Sequence, residues 1–419
     1  MRRVKVGILG LGTVGSALVN IIVQSRERLL EKYDLEIEVT KVFVRNLNKK
    51  RNIALQNVQL TDDPYDIVND KEIAVICECI GGGGTELSAT YIIDAIKSGK
   101  HIVLSSKKVL ALFSDCIFRT AQETNSIVKY DATVGGGVPT HRVINSCLLG
   151  EKIYKVAGIV NATSNFIYSQ MMNNKSTFED ALAEAQTMGY AENDPDEDIL
   201  GYDALYKLSI LIMMCMNKRI DIESVHPLPI VSTTLEDMIY AEKLGYSIKP
   251  IIYGECYGDV IKYVVGPCLV NKKSVISNVY LNNNIICING SSSGNLFFCG
   301  QGAGGFPTAS AMFDDLVNIF FESKKTYNLP KYATIEKKAM KRYLRIEGEE
   351  IKIRKCLDAS LNKGLVVIHA TDKELMINKK EYVLLTESLS DEEIQAYVEN
   401  LKNNNITVVS TFFILDDFM

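Results

Sequence analysis

Short apolar runs closed by glycine, alternating with helical repeats, dominate the first third of the chain. Val4–Leu9 is β-branched and apolar and ends in Gly10-Leu-Gly12-Thr13-Val14-Gly15; a helical repeat then runs to about Glu31. Apolar runs of this length bounded by turn residues read as strands buried on both faces. Ile37–Val44, Ile73–Ile80, the stretch after Gly99 and Ile127–Ala132 repeat the pattern, with a helix expected near Leu87–Ser98. Strands alternating with helices predict an α/β, doubly wound parallel sheet, a Rossmann-type nucleotide domain over residues 1–139. Its ligand crevice would lie at the carboxyl ends of the strands, where the glycine clusters and Lys107 fall.

From about Thr140 the period changes. Val156–Asn161 reads as a strand, helices follow to Met216, and further strands fall between Ile248 and Asn295. This predicts an α+β mixed-sheet substrate domain over 140–305, and a helix over 306–330 returning to the nucleotide domain. Lys331–Ala339, charged and without glycine, is expected to be a linker, and 340–419 reads as a ferredoxin-like βαββαβ module.

Composition removes several function classes. A chain of 419 residues holds two or three domains, and 47% hydrophobic with 23% charged residues is ordinary for a globular protein. A net charge of −5 gives no reason to expect nucleic acid as a partner. The longest apolar run, Leu208–Met216, is too short to cross a bilayer, and the basic start lacks a signal-peptide pattern. Ten cysteines without framework spacing and four histidines without zinc spacing fit a reducing, cytoplasmic setting.

The glycine loop carries specific chemistry. Gly10 permits the tight turn, Gly12 lets backbone approach a pyrophosphate, and Gly15 allows close helix–strand packing, with Thr13 and Val14 opening the helix. Where an NAD-preferring fold places Asp or Glu, this chain has Arg45, followed by Lys49-Lys50-Arg51. A basic cluster suits a 2′-phosphate, so NADP(H) is the expected preference, with NAD(H) possible.

A second motif is acidic. Six carboxylates lie between Glu192 and Asp203, and Lys207 follows four residues later on an otherwise apolar helix. Asp203 and Lys207 share one helix face. The stretch suits a small cationic substrate; a solvated loop with an ordinary intrahelical pair is the plain alternative. A calcium loop is rejected, because Ile199 and Leu205 stand where that pattern needs glycine and glutamate.

Together these residues resemble homoserine dehydrogenase over roughly 1–325, and the tail resembles an ACT-type domain. The most specific match is Gly189-Tyr-Ala-Glu192-x-Asp194-Pro195-x-x-Asp198-x-x-Gly201-x-Asp203-x-x-x-Lys207. Ile80-Gly81-Gly82, Lys107, Val134–Pro139 and Gly302–Ser310 support it. Departures are Leu104-Ser105-Ser106 before Lys107, Asn161-Ala-Thr163-Ser-Asn165, and Asp131 where the family usually has Glu.

The resemblance implies reversible, NAD(P)-dependent interconversion of L-homoserine and L-aspartate 4-semialdehyde, in threonine, methionine and isoleucine biosynthesis. A cation or acid must then meet the developing alkoxide, and Lys107 and Lys207 are the two candidates. Lys207 is expected to move the proton, oriented by Asp203, with Lys107 on the nicotinamide side. Glu192 and Asp198 suit the substrate ammonium; Thr163 and Tyr190 are further substrate candidates, and Gly304 a further cofactor candidate. Asp131, Val134, Gly136 and Val138 resemble a monovalent-cation (Na+) site. A threonine effector at the tail, and a homodimer or homotetramer with dimerisation through 140–305, are also implied. A non-catalytic nucleotide sensor would lose the lysines. A cysteine-acylating enzyme would need Cys147 and His141 on one helix face, which their spacing of six denies.

Overall fold

The computed structural model describes residues 1–51, 58–81, 84–321, 329–361, 366–369 and 381–416. Six strands open the chain: β1 (Arg2–Leu9), β2 (Leu35–Phe43), β3 (Gln59–Thr61), β4 (Ile73–Glu78), β5 (His101–Leu104) and β6 (Val128–Lys129). They form one sheet in the order β3-β2-β1-β4-β5-β6, and every neighbouring pair is parallel. The order reverses between β1 and β4, which is where such a sheet opens its ligand crevice. Its core joins Val6, Ile8, Val42 and Val75 to Leu18 and Ile22 of helix Thr13–Gln24, and to Met312 and Leu316 of helix Gly305–Asn318. The single helix expected to Glu31 is two, Thr13–Gln24 and Arg26–Tyr33, divided at Ser25.

The mixed sheet is built from β7 (Ile153–Ile159), β9 (Tyr246–Tyr257), β10 (Val260–Asn271), β11 (Asn283–Gly290), β12 (Gly294–Gln301), β14 (Thr334–Lys337), β15 (Arg342–Glu347), β16 (Val366–His369), β17 (Glu381–Thr386) and β18 (Thr407–Leu415). Its path is β12-β11-β7-β9-β10-β18-β15-β17-β16, with β14 beside β10. The short pair β8 (Lys218–Arg219) and β13 (Lys331–Tyr332) stands apart. The stretch expected to be a linker therefore carries strands: β14 pairs in parallel with β10, Val260 to Tyr263 against Thr334 to Lys337. All four residues of β14 have ladder partners far back in the chain, which a local pattern does not reveal.

The C-terminal strands run β18-β15-β17-β16, with each neighbouring pair antiparallel, and β18 continues the sheet by parallel pairing with β10. A buried charge also ties these elements. Asp237, at the start of helix Leu235–Lys243, accepts from Ser410 Oγ at 2.5 Å and faces Arg345 Nε at 3.2 Å. Both charged side chains are almost wholly buried.

The described residues fall into two units. The first holds Met1–Lys152, Tyr206–Ile222 and Phe298–Tyr332; the second holds Ile153–Leu205, Glu223–Phe297 and Ala333–Met419. Residues 206–222 thus group with the parallel sheet, and 333–419 with the mixed sheet. Among the described residues no helix is long and apolar enough to cross a membrane.

Candidate active site

The glycine loop follows β1 directly. Gly10 has φ +105, and a Cβ there would lie 2.5 Å from the Cys79 carbonyl oxygen. A Cβ on Gly15 would lie 2.1 Å from the Gly10 carbonyl oxygen, whereas Gly12 faces open space. Gly12 caps helix Thr13–Gln24 without a side-chain hydrogen bond, so the first-turn amides are presented to that space. Uncapped amides at the positive end of a helix dipole suit a pyrophosphate. Helix Gly305–Asn318 starts against the same turn: a Cβ on Gly305 would meet Thr13 at 2.8 Å, and Gly304 holds φ +127.

Arg45 is exposed just beyond β2. Arg51 is occupied otherwise, donating to the carbonyls of Lys49 and Asn46, both at 2.8 Å, and so folds its own loop. The basic cluster therefore divides into a loop-shaping arginine and an accessible one.

Glu78, the last residue of β4, is fully buried. Oε1 accepts the Ile80 N–H at 2.9 Å and Ser88 Oγ at 3.2 Å; Oε2 accepts the Ser106 N–H at 3.0 Å. Its own carbonyl accepts Ser105 Oγ at 2.9 Å. Burial pushes this carboxyl above its ordinary value, against the pull of those donors. One side chain thereby ties the turn after β4 to the turn after β5. Gly82 of the sequence motif lies outside the described residues.

Ser106 caps helix Lys107–Thr124, which makes Lys107 its first residue. Lys207 lies on helix Tyr202–Met216, in the part that groups with the first unit, and is nearly buried. The two helices lie side by side: Lys108 Nζ stands 5.6 Å from the Tyr206 ring centre, and Leu110, Ala111 and Ser114 face Ser209, Ile210 and Met213. Each lysine is thus one residue from a contacting pair.

In the second unit, Asn161 caps helix Ala162–Asn174 through its Oδ1, which accepts the Ser164 N–H at 2.7 Å. Its Nδ2 donates to Asp198 Oδ1 at 2.6 Å and Asp203 Oδ2 at 2.7 Å. One amide holds two carboxylates of the acidic stretch together, and Asp203 is 2% exposed. Thr163 Oγ1 donates to the Tyr190 carbonyl at 2.7 Å, and the Tyr190 ring packs 4.6 Å from Phe166. Glu192 is exposed and apart from these contacts, its carbonyl accepting Gln186 Nε2 at 3.2 Å. Gly201 holds φ +87, and a Cβ there would lie 2.9 Å from Pro227.

The loop after β6 is equally buried. Asp131 Oδ1 accepts the His141 N–H at 2.8 Å, and Oδ2 pairs with Arg142 Nε at 3.0 Å. Desolvation raises the Asp131 carboxyl while Arg142 opposes it; the neighbouring Asp315 is pushed up to about 8, mainly by burial. The carbonyls of Val134 and Gly136 accept no hydrogen bond among the described residues, while that of Val138 accepts the Thr140 N–H at 2.8 Å. Gly136 holds φ +58, with the Gly302 backbone 2.8 Å from where a Cβ would be.

Residues 10–131 match the model of the homoserine dehydrogenase NAD-binding domain, and residues 139–317 match that of homoserine dehydrogenase. The homoserine dehydrogenase of Bacillus subtilis is 36% identical over 319 residues, covering 76% of this chain and 73% of its own. The chain belongs to the homoserine dehydrogenase family. These are NAD(P)-dependent oxidoreductases acting on a CH–OH group. The homoserine dehydrogenase of Pseudomonas aeruginosa matches equally, 36% over 319 residues, 76% of this chain and 73% of its own. A crystal structure of the enzyme from Thiobacillus denitrificans superposes with a TM-score of 0.90 at 30% identity, over 99% of both chains. A putative homoserine dehydrogenase from Archaeoglobus fulgidus superposes at 0.68 and 29% identity, covering 76% of this chain but 99% of its own.

Two residues that organise these turns and carboxylates, one in each unit, escape sequence reasoning as individuals. Glu78 stands between Cys77 and Cys79 in a strand whose pattern reads as buried, and nothing local shows what meets its charge. Asn161 appears only as one letter of a motif. An Asn directly before an apolar helix is a capping signal, and that signal could have singled it out.

Proposed function

We propose that this chain interconverts L-homoserine and L-aspartate 4-semialdehyde by reversible hydride exchange with a nicotinamide cofactor, NADP(H) in preference. The reading rests on helix Tyr202–Met216, whose second residue, Asp203, is held by Asn161 and which carries Lys207 four residues later.

A nicotinamide cofactor, when bound, supplies or accepts the hydride. Gly10, Gly12, Thr13, Val14, Gly15 and Gly304 suit its pyrophosphate, through the uncapped amides and the open face at Gly12. The exposed Arg45 suits a 2′-phosphate. Reduction of the aldehyde leaves alkoxide charge on oxygen, and Lys207 is assigned to give that oxygen its proton and to remove it in the oxidation. Asp203, four residues earlier on the same face, orients Lys207, and Lys107 polarises the carbonyl from the end of β5. Asp198 and Glu192 take the substrate ammonium. Thr163 and Tyr190 bound the substrate from the start of helix Ala162–Asn174.

A monovalent cation such as Na+ at the 131–138 loop would use the open carbonyls of Val134 and Gly136. Asp131 would be shared with Arg142, and Val138 with the Thr140 N–H. Hard oxygen donors of this kind suit such an ion. The strand order β18-β15-β17-β16, all antiparallel, with helices Glu350–Leu361 and Asp391–Asn403 between strands, supports a ferredoxin-like, ACT-type reading of the tail. An amino-acid effector such as threonine is then its candidate ligand, and a homodimer or homotetramer the candidate assembly.

The decisive experiment follows NADPH absorbance with L-homoserine and NADP+, then with NAD+. Formation of NADPH only in the presence of homoserine is expected. No absorbance change with either cofactor would remove the assignment. Threonine titration during the same assay, and light scattering, test the effector and the assembly.

A further inference from the structure

Among the described residues, one buried cation without a carboxylate partner stands beside a cavity in the second unit. Lys249, on β9, is 4% exposed. Its Nζ donates to the Val279 carbonyl at 2.7 Å and stands 4.1 Å from the centre of the Tyr280 ring. Among the described residues no carboxylate pairs with it, and burial alone pulls its ammonium down to about 8. The sheet does not call for a charge here, since the register partner across the hairpin is the buried Cys268. Burying an ammonium with no countercharge is costly, so its presence asks for a partner from outside.

The adjoining cavity has a volume of about 350 Å³. That is the size of a small-molecule site. Lys249, Lys175 and Lys272 line it against the single carboxylate of Glu242, which is already paired with Lys272 at 2.8 Å. Met172 and Met238 supply apolar wall. The lining therefore favours an anion with a carbon skeleton.

We propose that this cavity binds a small organic carboxylate, its acid group seated on Lys249 and its skeleton against Met172 and Met238. The Val279 carbonyl that takes Lys249 Nζ also takes Asn165 Nδ2 at 3.3 Å. Asn165 lies one turn beyond Asn161, the residue that holds Asp198 and Asp203. An occupant that draws Lys249 toward itself is thus felt in the helix turn that organises the acidic stretch. The site does not depend on the reaction assigned above.

The test titrates butyrate, succinate and benzoate into wild type and K249M by calorimetry near pH 8, in two buffers of different ionisation heat. At least one carboxylate binds wild type with net proton uptake, and K249M weakens that binding by about tenfold or more. Binding by none of the three, or equal binding to K249M, overturns the proposal. A melting curve guards against misfolding: K249M without ligand is expected to melt no lower than wild type, because it loses an unpaired buried charge. A lower melting temperature would make Lys249 a structural residue and overturn the proposal.

Discussion

Glu78 holds Ser106: its Oε2 accepts the Ser106 N–H at 3.0 Å, and Ser106 is the cap on which Lys107 begins its helix. The other oxygen takes the Ile80 N–H, so a single carboxylate sets two turns at the carboxyl edge of the parallel sheet. Glu78→Gln keeps the shape but turns an NH₂ toward one of two backbone donors. A stability loss of about 1–3 kcal/mol is expected for a buried donor left unsatisfied. Weaker NADPH binding should accompany it, read by fluorescence titration beside a denaturant curve. Wild-type affinity in the folded variant would contradict the role in positioning.

Lys207→Ala should lower kcat by about 10²- to 10⁴-fold, the ordinary contribution of a positioned acid–base group. NADPH binding should be retained, since Lys207 is assigned to the substrate oxygen. Near-normal turnover would refute the assignment.

Asn161→Ala removes both the helix cap and the amide between Asp198 and Asp203. Loss of the cap alone costs about 0.5–2 kcal/mol. The two carboxylates, released from their shared donor, should raise KM for homoserine more than for NADP+. Equal KM values in variant and wild type would show that the pair does not position substrate.

Arg45→Ala should weaken NADP+ by about tenfold to a hundredfold, the worth of a hydrogen bond to a charged group, and leave NAD+ nearly unchanged. Parallel loss for both cofactors would place Arg45 away from a 2′-phosphate.

Lys249 makes stability depend on pH with a definite sign. Its folded value, about 8, lies below the ordinary 10.5, so between these values the unfolded chain binds more protons. Stability contributed by this group therefore rises as pH climbs from about 8 to 10.5, by roughly 3 kcal/mol at full extent. Wild type should gain on K249M across that window in paired chemical denaturation curves. Parallel curves would show that the ammonium is not desolvated.

Much of the fold and the site is written locally. The glycine spacing, the strand–helix alternation and the Glu192–Lys207 stretch are short-range patterns, and local backbone chemistry is enough to place them on a turn, a sheet and a helix. Other features depend on partners far along the chain. Glu78 lies in a strand that reads as buried on both faces, but the groups that meet its charge, Ser88 and the Ser106 N–H, come from later segments. Lys249 looks like an ordinary strand lysine until the Val279 carbonyl and the Tyr280 ring close over it. The stretch 331–339 has the charge of a linker, but an open ladder edge on β10 draws Thr334–Lys337 into the sheet. By itself the sequence determined the parallel-sheet unit and the glycine loop, because periodicity and turn chemistry act within a few residues. Only the tertiary structure decided which charges are buried, what pairs with them and how the tail joins the mixed sheet. Those depend on hydrogen-bond ladders and desolvation between segments more than a hundred residues apart, such as Cys268 and Phe413.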